Sequence, residues 1–185
     1  SLRKKFQHNL DAIRVLKQLA LEGGPATRAE QEVLVRYVGW GGLPHFDVNH
    51  KTWGEQFAEL RELLNDEEWD SARASTPNAH YTSPAVIRFM HDVVARLGLE
   101  RGRVLEPAAG VGHFLGLGPK RLHWTAVELD SLSGRILDKL YPQQDVHVTG
   151  FEKLERPDDY FDAAISNVPF GDYPVYDPSF KGARE

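Results

Sequence analysis

The sequence contains no cysteine. That excludes a disulfide framework and a thiolate-held zinc, and it suits a reducing, cytoplasmic setting. Long apolar runs are also missing. No stretch approaches the length of a membrane span, and the opening SLRKKFQ carries charge without the apolar core of a signal peptide. Nor is there an excess of positive charge. Lys and Arg total 22 against 27 Asp and Glu, giving a net charge of -5 and a pI near 5.9. This argues against a broadly basic nucleic-acid coat but leaves room for local basic contacts. Internal repeats and low-complexity tracts are absent too. What remains is an ordinary globular composition in 185 residues, enough for one domain or one domain with a helical extension.

Residues 1–75 read as helical. NLDAIRVLKQLALEGG places Leu10, Ile13, Leu16 and Ala20 near one helix face, and Gly23-Gly24 ends it. Thr27 to Glu30 form a capping-box pattern before Val33, Leu34 and Val38. EQFAELRELLN and DEEWDSARA predict two more short helices, the second capped by Asn65. The pattern then changes, so that residues 76–185 form the second unit. Ser83-Pro84 opens a helix carrying Ile87, Met90, Val94 and Leu97, and Gly98 stops it. RVLE, HWTAVE, DVHVTG and FDAAIS read as four strands, with SLSGRILDKLY a helix between the second and third. Strands alternating with helices predict a parallel, doubly wound α/β sheet. Such sheets usually continue past four strands, so this one is expected to be truncated after the fourth, within a larger protein.

EPAAGVGHF, Glu106 to Phe114, leaves a strand and opens a helix. Gly110 and Gly112 allow a tight turn and a close backbone approach to a ligand. Glu128 ends the second strand eighteen residues after Gly110, where an acidic side chain accepts hydrogen bonds from ribose hydroxyls. The pattern points to an adenosine-containing cofactor. A dinucleotide site wants a third glycine where this chain has Leu115, and a pyrophosphate disfavours Glu106 beside it. The ammonium of S-adenosylmethionine suits that carboxylate better than NAD does. The plainer reading, a glycine turn joining strand to helix, is outweighed by Glu106 and Glu128 standing in register.

SNVPFGDY, Ser166 to Tyr173, follows the fourth strand. The Asn167 amide oxygen can accept a hydrogen bond from an amino group. Pro169 biases Val168 toward an extended conformation, which presents its carbonyl as a second acceptor. Phe170 offers a flat face to a planar base. Two acceptors on an exocyclic amino group keep its lone pair available for attack on a methyl sulfonium, so positioning and electrostatics suffice. A β-turn with Phe170 packed inward is the bland alternative. Its place beyond the carboxyl end of a parallel strand favours a site.

These motifs together resemble the N6-adenine DNA methyltransferase family. NAHYTSPAVIRFM is similar to the family's helix motif before the first strand, EPAAGVGHF to its glycine motif, VELD to its acidic motif, and NVPF to its Asn-Pro-Pro-Tyr/Phe motif. With YVGWGGLP added, most of the chain resembles a subgroup of very large phage and mobile-element proteins that join a methyltransferase to a helicase. The resemblance implies a Rossmann-like S-adenosylmethionine methyltransferase sheet preceded by a helical region, acting on DNA whose base is flipped out. It implies that Tyr81, Thr82 and Pro84 border the cofactor, that Glu106, Ala108 and Gly110 hold its methionine end, and that Glu128 holds the ribose. Asn167, Val168, Pro169 and Phe170 would hold the target base. Where the family often has an Asp after the third strand, this chain has Gly150 to Glu152, so Phe151 covering the adenine or Glu152 substituting are the alternatives.

Other residues weigh less. Trp40 within GWGG is read as a core anchor rather than a ligand loop. His45 and His50 make a poor metal pair, and no metal site is expected. His80 and His113 lie near the expected cofactor, Tyr173 and Tyr176 could stack on a base, and Arg3, Lys4 and Lys5 read as a solvated helix end. The same loop chemistry also serves RNA adenine or a protein glutamine, and a non-catalytic cofactor-binding or architectural module is the remaining alternative.

Overall fold

The computed structural model describes residues 1–76 and 81–168. Helix α1, Leu2–Glu22, is capped by Ser1 and buries Phe6, Leu10, Ile13, Leu16 and Leu19 along one stripe. Helix α2, Arg28–Leu34, starts with both bonds of the Thr27–Glu30 capping box. Helices α3, Gly54–Leu63, and α4, Asp66–Ser75, follow, and α4 carries the Asn65–Glu68 capping box. The turn between α2 and α3 plunges into the core. Tyr37 and Trp40 are fully buried, and Trp40 meets Phe6, Tyr37 and Phe46 within about 6 Å. Asn9, itself buried on α1, pins that turn by donating to the Gly39 carbonyl at 2.7 Å and accepting from the Val38 amide at 2.9 Å. Trp40 is therefore a core anchor.

Helix α5, Pro84–Arg96, has Ser83 as cap and proline in its first turn. It turns Ile87 and His91 inward, while Leu97 stays 81% exposed. Met90 and Val94 of the expected stripe pack against the same core as Ile87, and only Leu97, the C-cap, turns outward; His91 lies 3.0 Å from the Phe114 carbonyl and edge-on to Trp124. Strands β1, Gly102–Glu106, β2, Leu122–Glu128, β3, Asp145–Val148, and β4, Ala163–Ala164, form one parallel sheet in the order β3-β2-β1-β4. Helix α6, His113–Leu117, joins β1 to β2, and α7, Ser131–Leu140, joins β2 to β3.

Right-handed crossovers from β1 to β2 to β3 place α6 and α7 on the same face, with α5 beside them. Their core contains Ile87, Val104, Phe114, Trp124, Ala126, Leu137 and Ile165. The return from β3 to β4 reverses direction and crosses the opposite face as a connection whose only helical element is the 3-10 turn Phe151–Lys153. Arg156 of this connection donates to Asp145 at 2.5 Å, and the Arg103 guanidinium lies over the Tyr160 ring at 4.4 Å. The sheet is thus wound on both sides, but among the described residues helices cover only one face. The helices α1–α4 form a further layer outside α7, and their core takes in Val111, Leu132 and Ile136. No helix among the described residues is long and apolar enough to cross a membrane.

Candidate functional site

Strand order reverses at β1, between β2 and β4. In an open parallel sheet the crevice at such a switch point, beyond the carboxyl ends of the strands, is where ligands bind. Three chain segments converge there. β1 ends on Glu106 and enters the turn through Gly110 and Gly112, both at positive φ, 57° and 81°. The turn is tied to β2 by the Ala109 amide, which donates to the Val127 carbonyl at 2.9 Å. β2 ends on Glu128, whose two oxygens are held by backbone donors: the Gly110 amide at 2.7 Å and the Asp130 amide at 2.8 Å. A carboxylate has about four lone-pair sites, so two remain for a ligand.

The two glycines differ in purpose. A Cβ on Gly112 would lie 2.5 Å from both Leu137 and Tyr141, so this glycine lets the turn pack on α7. The atoms nearest to a Cβ on Gly110 would be those of the Tyr81 ring, Cε1 at 3.2 Å. Tyr81 in turn stands edge-on to His113, ring centroids 5.2 Å apart.

Glu106 is 2% exposed, and its Oε2 has no hydrogen-bond partner among the described residues. Burial, then the charge of Glu128, pushes its carboxyl well above the ordinary range. Burial also raises Glu128, although the Asp130 and Gly110 amides pull it back. Two desolvated carboxylates around one glycine turn create a strong demand for a cation or for hydrogen-bond donors. An ammonium supplies the first and a ribose diol the second. The donor set fits S-adenosylmethionine and does not fit a pyrophosphate.

The other expected residues are placed as follows. Thr82 is half-buried, and Pro84 is exposed on the first turn of α5. Ala108 is half-buried within the glycine turn. Phe151 follows β3 with 51% of its surface exposed, and β3 pairs with β2 so that Val148 is level with Glu128. Asn167 and Val168 are exposed just past β4, whose Ile165 amide donates to the Leu105 carbonyl at 2.9 Å. They therefore leave the sheet on the strand adjoining Glu106. Pro169, Phe170, His80, Tyr173 and Tyr176 lie outside the described residues.

Three contributors escaped the sequence reading. Asp130 caps α7 through Ser133 and also aligns Glu128. Its signal was the Asp-x-x-Ser spacing ahead of an apolar helix. Tyr141 packs under the glycine turn, its phenol pushed up to about 12 by burial and then by Glu106. Tyr37 approaches from the helical layer, its phenol raised far above normal by burial and then by Asp130. Nothing local marks these tyrosines.

No protein-family model matches the chain. It is 28% identical over 171 residues to the defense against restriction protein B of Escherichia phage P1, an alignment covering 91% of this chain and 6% of that protein. The chain thus spans only a small part of the length of this relative. Among solved structures, the methyltransferase subunit of a type I restriction-modification system from Streptococcus thermophilus aligns with a TM-score of 0.42 and 17% identity, over 67% of this chain and 35% of that one.

Proposed function

We propose that this chain is an S-adenosylmethionine-dependent methyltransferase domain acting on the exocyclic N6 amino group of adenine in DNA, beside other domains of a longer phage or mobile-element protein, a helicase among them. One observation carries the reading. Glu106, with a buried oxygen lacking a partner among the described residues, and Glu128 flank a glycine turn at the sheet's switch point, and Asn167 follows β4, the strand next to it. The phage relative's name, defense against restriction, is in keeping with DNA as the substrate.

When bound, S-adenosylmethionine supplies an electrophilic methyl group on a sulfonium. Glu106, with Ala108 and Gly110, holds the methionine end, and the Glu106 carboxylate is matched to its ammonium. Glu128 would accept from the ribose hydroxyls, Phe151 would cover the adenine, and Tyr81, Thr82 and Pro84 would border the cofactor. The target adenine reaches the crevice only after flipping from the duplex. Asn167 Oδ1 and the Val168 carbonyl accept its two amino hydrogens, which favours a tetrahedral nitrogen with its lone pair free to attack. Pro169 holds the loop and Phe170 stacks on the base. No strong base would be needed: the new N–C bond would form as the sulfonium's S–CH3 bond breaks, its electron pair staying on sulfur as a neutral thioether, and the proton would depart to water. The protein's contribution is orientation and electrostatic matching.

Methyl transfer from labelled cofactor, measured in parallel on DNA, RNA and protein, tests the substrate. DNA labelling at adenine N6 is expected. Asn167→Ala should reduce the rate at least a hundredfold while cofactor affinity changes less than about threefold. Undiminished transfer by that variant would remove Asn167 from the chemistry. Labelling of RNA or protein alone would reassign the substrate, and cofactor binding without transfer to any of the three would favour a non-catalytic module.

A further inference from the structure

The outer helical layer is joined to the proposed cofactor site by side chains far apart in sequence. Ser71 of α4 donates its hydroxyl to Asp130 Oδ1 at 3.0 Å. Asp130 Oδ2 accepts from the Ser133 amide at 2.9 Å and the Ser133 hydroxyl at 2.7 Å. The backbone amide of Asp130 donates to Glu128 Oε1, and Glu128 Oε2 accepts from Gly110. A continuous path thus runs from α4 through the 128–130 turn to the glycine turn. One turn further along α7, Arg135 pairs with Glu68 of α4, whose carboxylate also accepts from Lys17 of α1 at 2.6 and 2.8 Å. Helix α4 is therefore fixed to α7 at two points, and one of them bears directly on Glu128.

We propose that Ser71 is a positioning residue for ribose recognition, acting through Asp130 to fix the orientation of the Glu128 carboxylate. This rests on the S-adenosylmethionine reading above and assigns to the helical layer a part in cofactor selection. A carboxylate presents two collinear acceptors to a vicinal diol only in a narrow range of rotation. Both Glu128 oxygens are set by backbone amides, so rotation of the carboxylate follows any movement of the Asp130 amide. Asp130 is anchored on one side by its own helix and on the other by Ser71. Loss of the Ser71 hydroxyl frees the 128–130 turn on the side facing α4. The energetic effect appears where Glu128 meets the ribose, since that contact depends on preorganisation.

The test is calorimetric binding of S-adenosylhomocysteine and of its 2′-deoxy analogue to the whole chain. The wild type is expected to prefer the ribose form. Ser71→Ala should weaken S-adenosylhomocysteine roughly three- to tenfold, the scale of one ordinary hydrogen bond, and leave the deoxy analogue nearly unchanged. Ser71→Thr, which keeps the hydroxyl, should restore the preference. In a Glu128→Gln background, Ser71→Ala should have no further effect on binding, because the path ends at that carboxylate. A ribose preference untouched by Ser71→Ala, with or without a change in melting temperature, would overturn the proposal while leaving the cofactor reading intact. Equal wild-type binding of both compounds would overturn it as well. Binding of neither would remove the cofactor reading itself and this proposal with it.

Discussion

Glu106 is held where its charge is unfavourable, and the sign of the resulting pH dependence follows. Its folded pKa lies above the unfolded value of about 4.3, so the folded chain holds more protons between the two. Stability is full, as far as this group is concerned, below about pH 4.3, and falls as pH rises through the window up to the raised folded value. Glu106→Gln removes that slope. At pH 8 the ligand-free variant is expected to melt higher than the wild type, with the advantage shrinking toward pH 4.5, while its affinity for S-adenosylmethionine falls at least tenfold. Thermal melts across that range, paired with calorimetry, check both halves. Comparing variant with wild type cancels the titrating groups remote from Glu106, leaving Glu106 and the groups coupled to it, Glu128 and Tyr141. Glu128 is raised by burial and acts in the same direction. His113, lowered by burial, acts oppositely below about pH 6.5. In Glu68 burial is outweighed by Lys17, the Asn65 amide and Arg135 together, and in Asp145 by Arg156, Thr125 and His147 together, so their stabilisation is lost only on further acidification.

At the scale of elements, the strand–turn–helix passage from β1 to α6 depends on Gly112 more than on Gly110. Gly112 combines a φ of 81° with Leu137 and Tyr141 at 2.5 Å from any added Cβ. Left-handed backbone costs about 1–2 kcal/mol for other residues, and overpacking a filled site adds about 1–3 kcal/mol. Gly112→Ala is therefore expected to destabilise the fold by about 3 kcal/mol in urea denaturation, a larger loss than Gly110→Ala causes, since the nearest atoms to a Cβ on Gly110 stand back at 3.2 Å on the Tyr81 ring. The elements themselves were legible because their signals are local. Thr27–Glu30, Asn65–Glu68 and Ser83-Pro84 each satisfy helix-end groups within a single turn of chain. Strand β4 is the shortest, two paired residues where FDAAIS suggested more, since only Val104 and Leu105 of β1 lie opposite it. The inward face of α5 was legible only in part: buried His91 has a partner, the Phe114 carbonyl, that no local pattern reveals.

For the whole molecule, composition suggests a boundary near residue 76, but the packing runs across it. Val111, Leu132 and Ile136 of the sheet unit complete the core of the helical layer, and Arg135 and Asp130 are bonded to α4. Deleting residues 1–76 exposes those apolar side chains and leaves the 128–130 turn unsupported. The remaining fragment is expected to lack a cooperative thermal transition, whereas the full chain unfolds with one. Circular dichroism in the near and far ultraviolet distinguishes the two, and a sharp, near-native transition in the fragment would show that the layers fold independently.

The sequence by itself determined which segments are helix or strand, and that Glu106 and Glu128 close strands, with Gly110 in the turn after the first strand and Asn167 just beyond the fourth. Those properties arise from caps, backbone dihedrals and apolar periodicity within a few residues. Only the tertiary structure decided which strand ends are neighbours, that Glu106 is left with a buried oxygen lacking a described partner, and that Ser71 reaches Asp130 across 59 residues. The reason is physical: burial, charge coupling and long-range hydrogen bonds come into being when separate segments pack together, so the electrostatic character of the crevice belongs to the packing of the sheet against its helical layers.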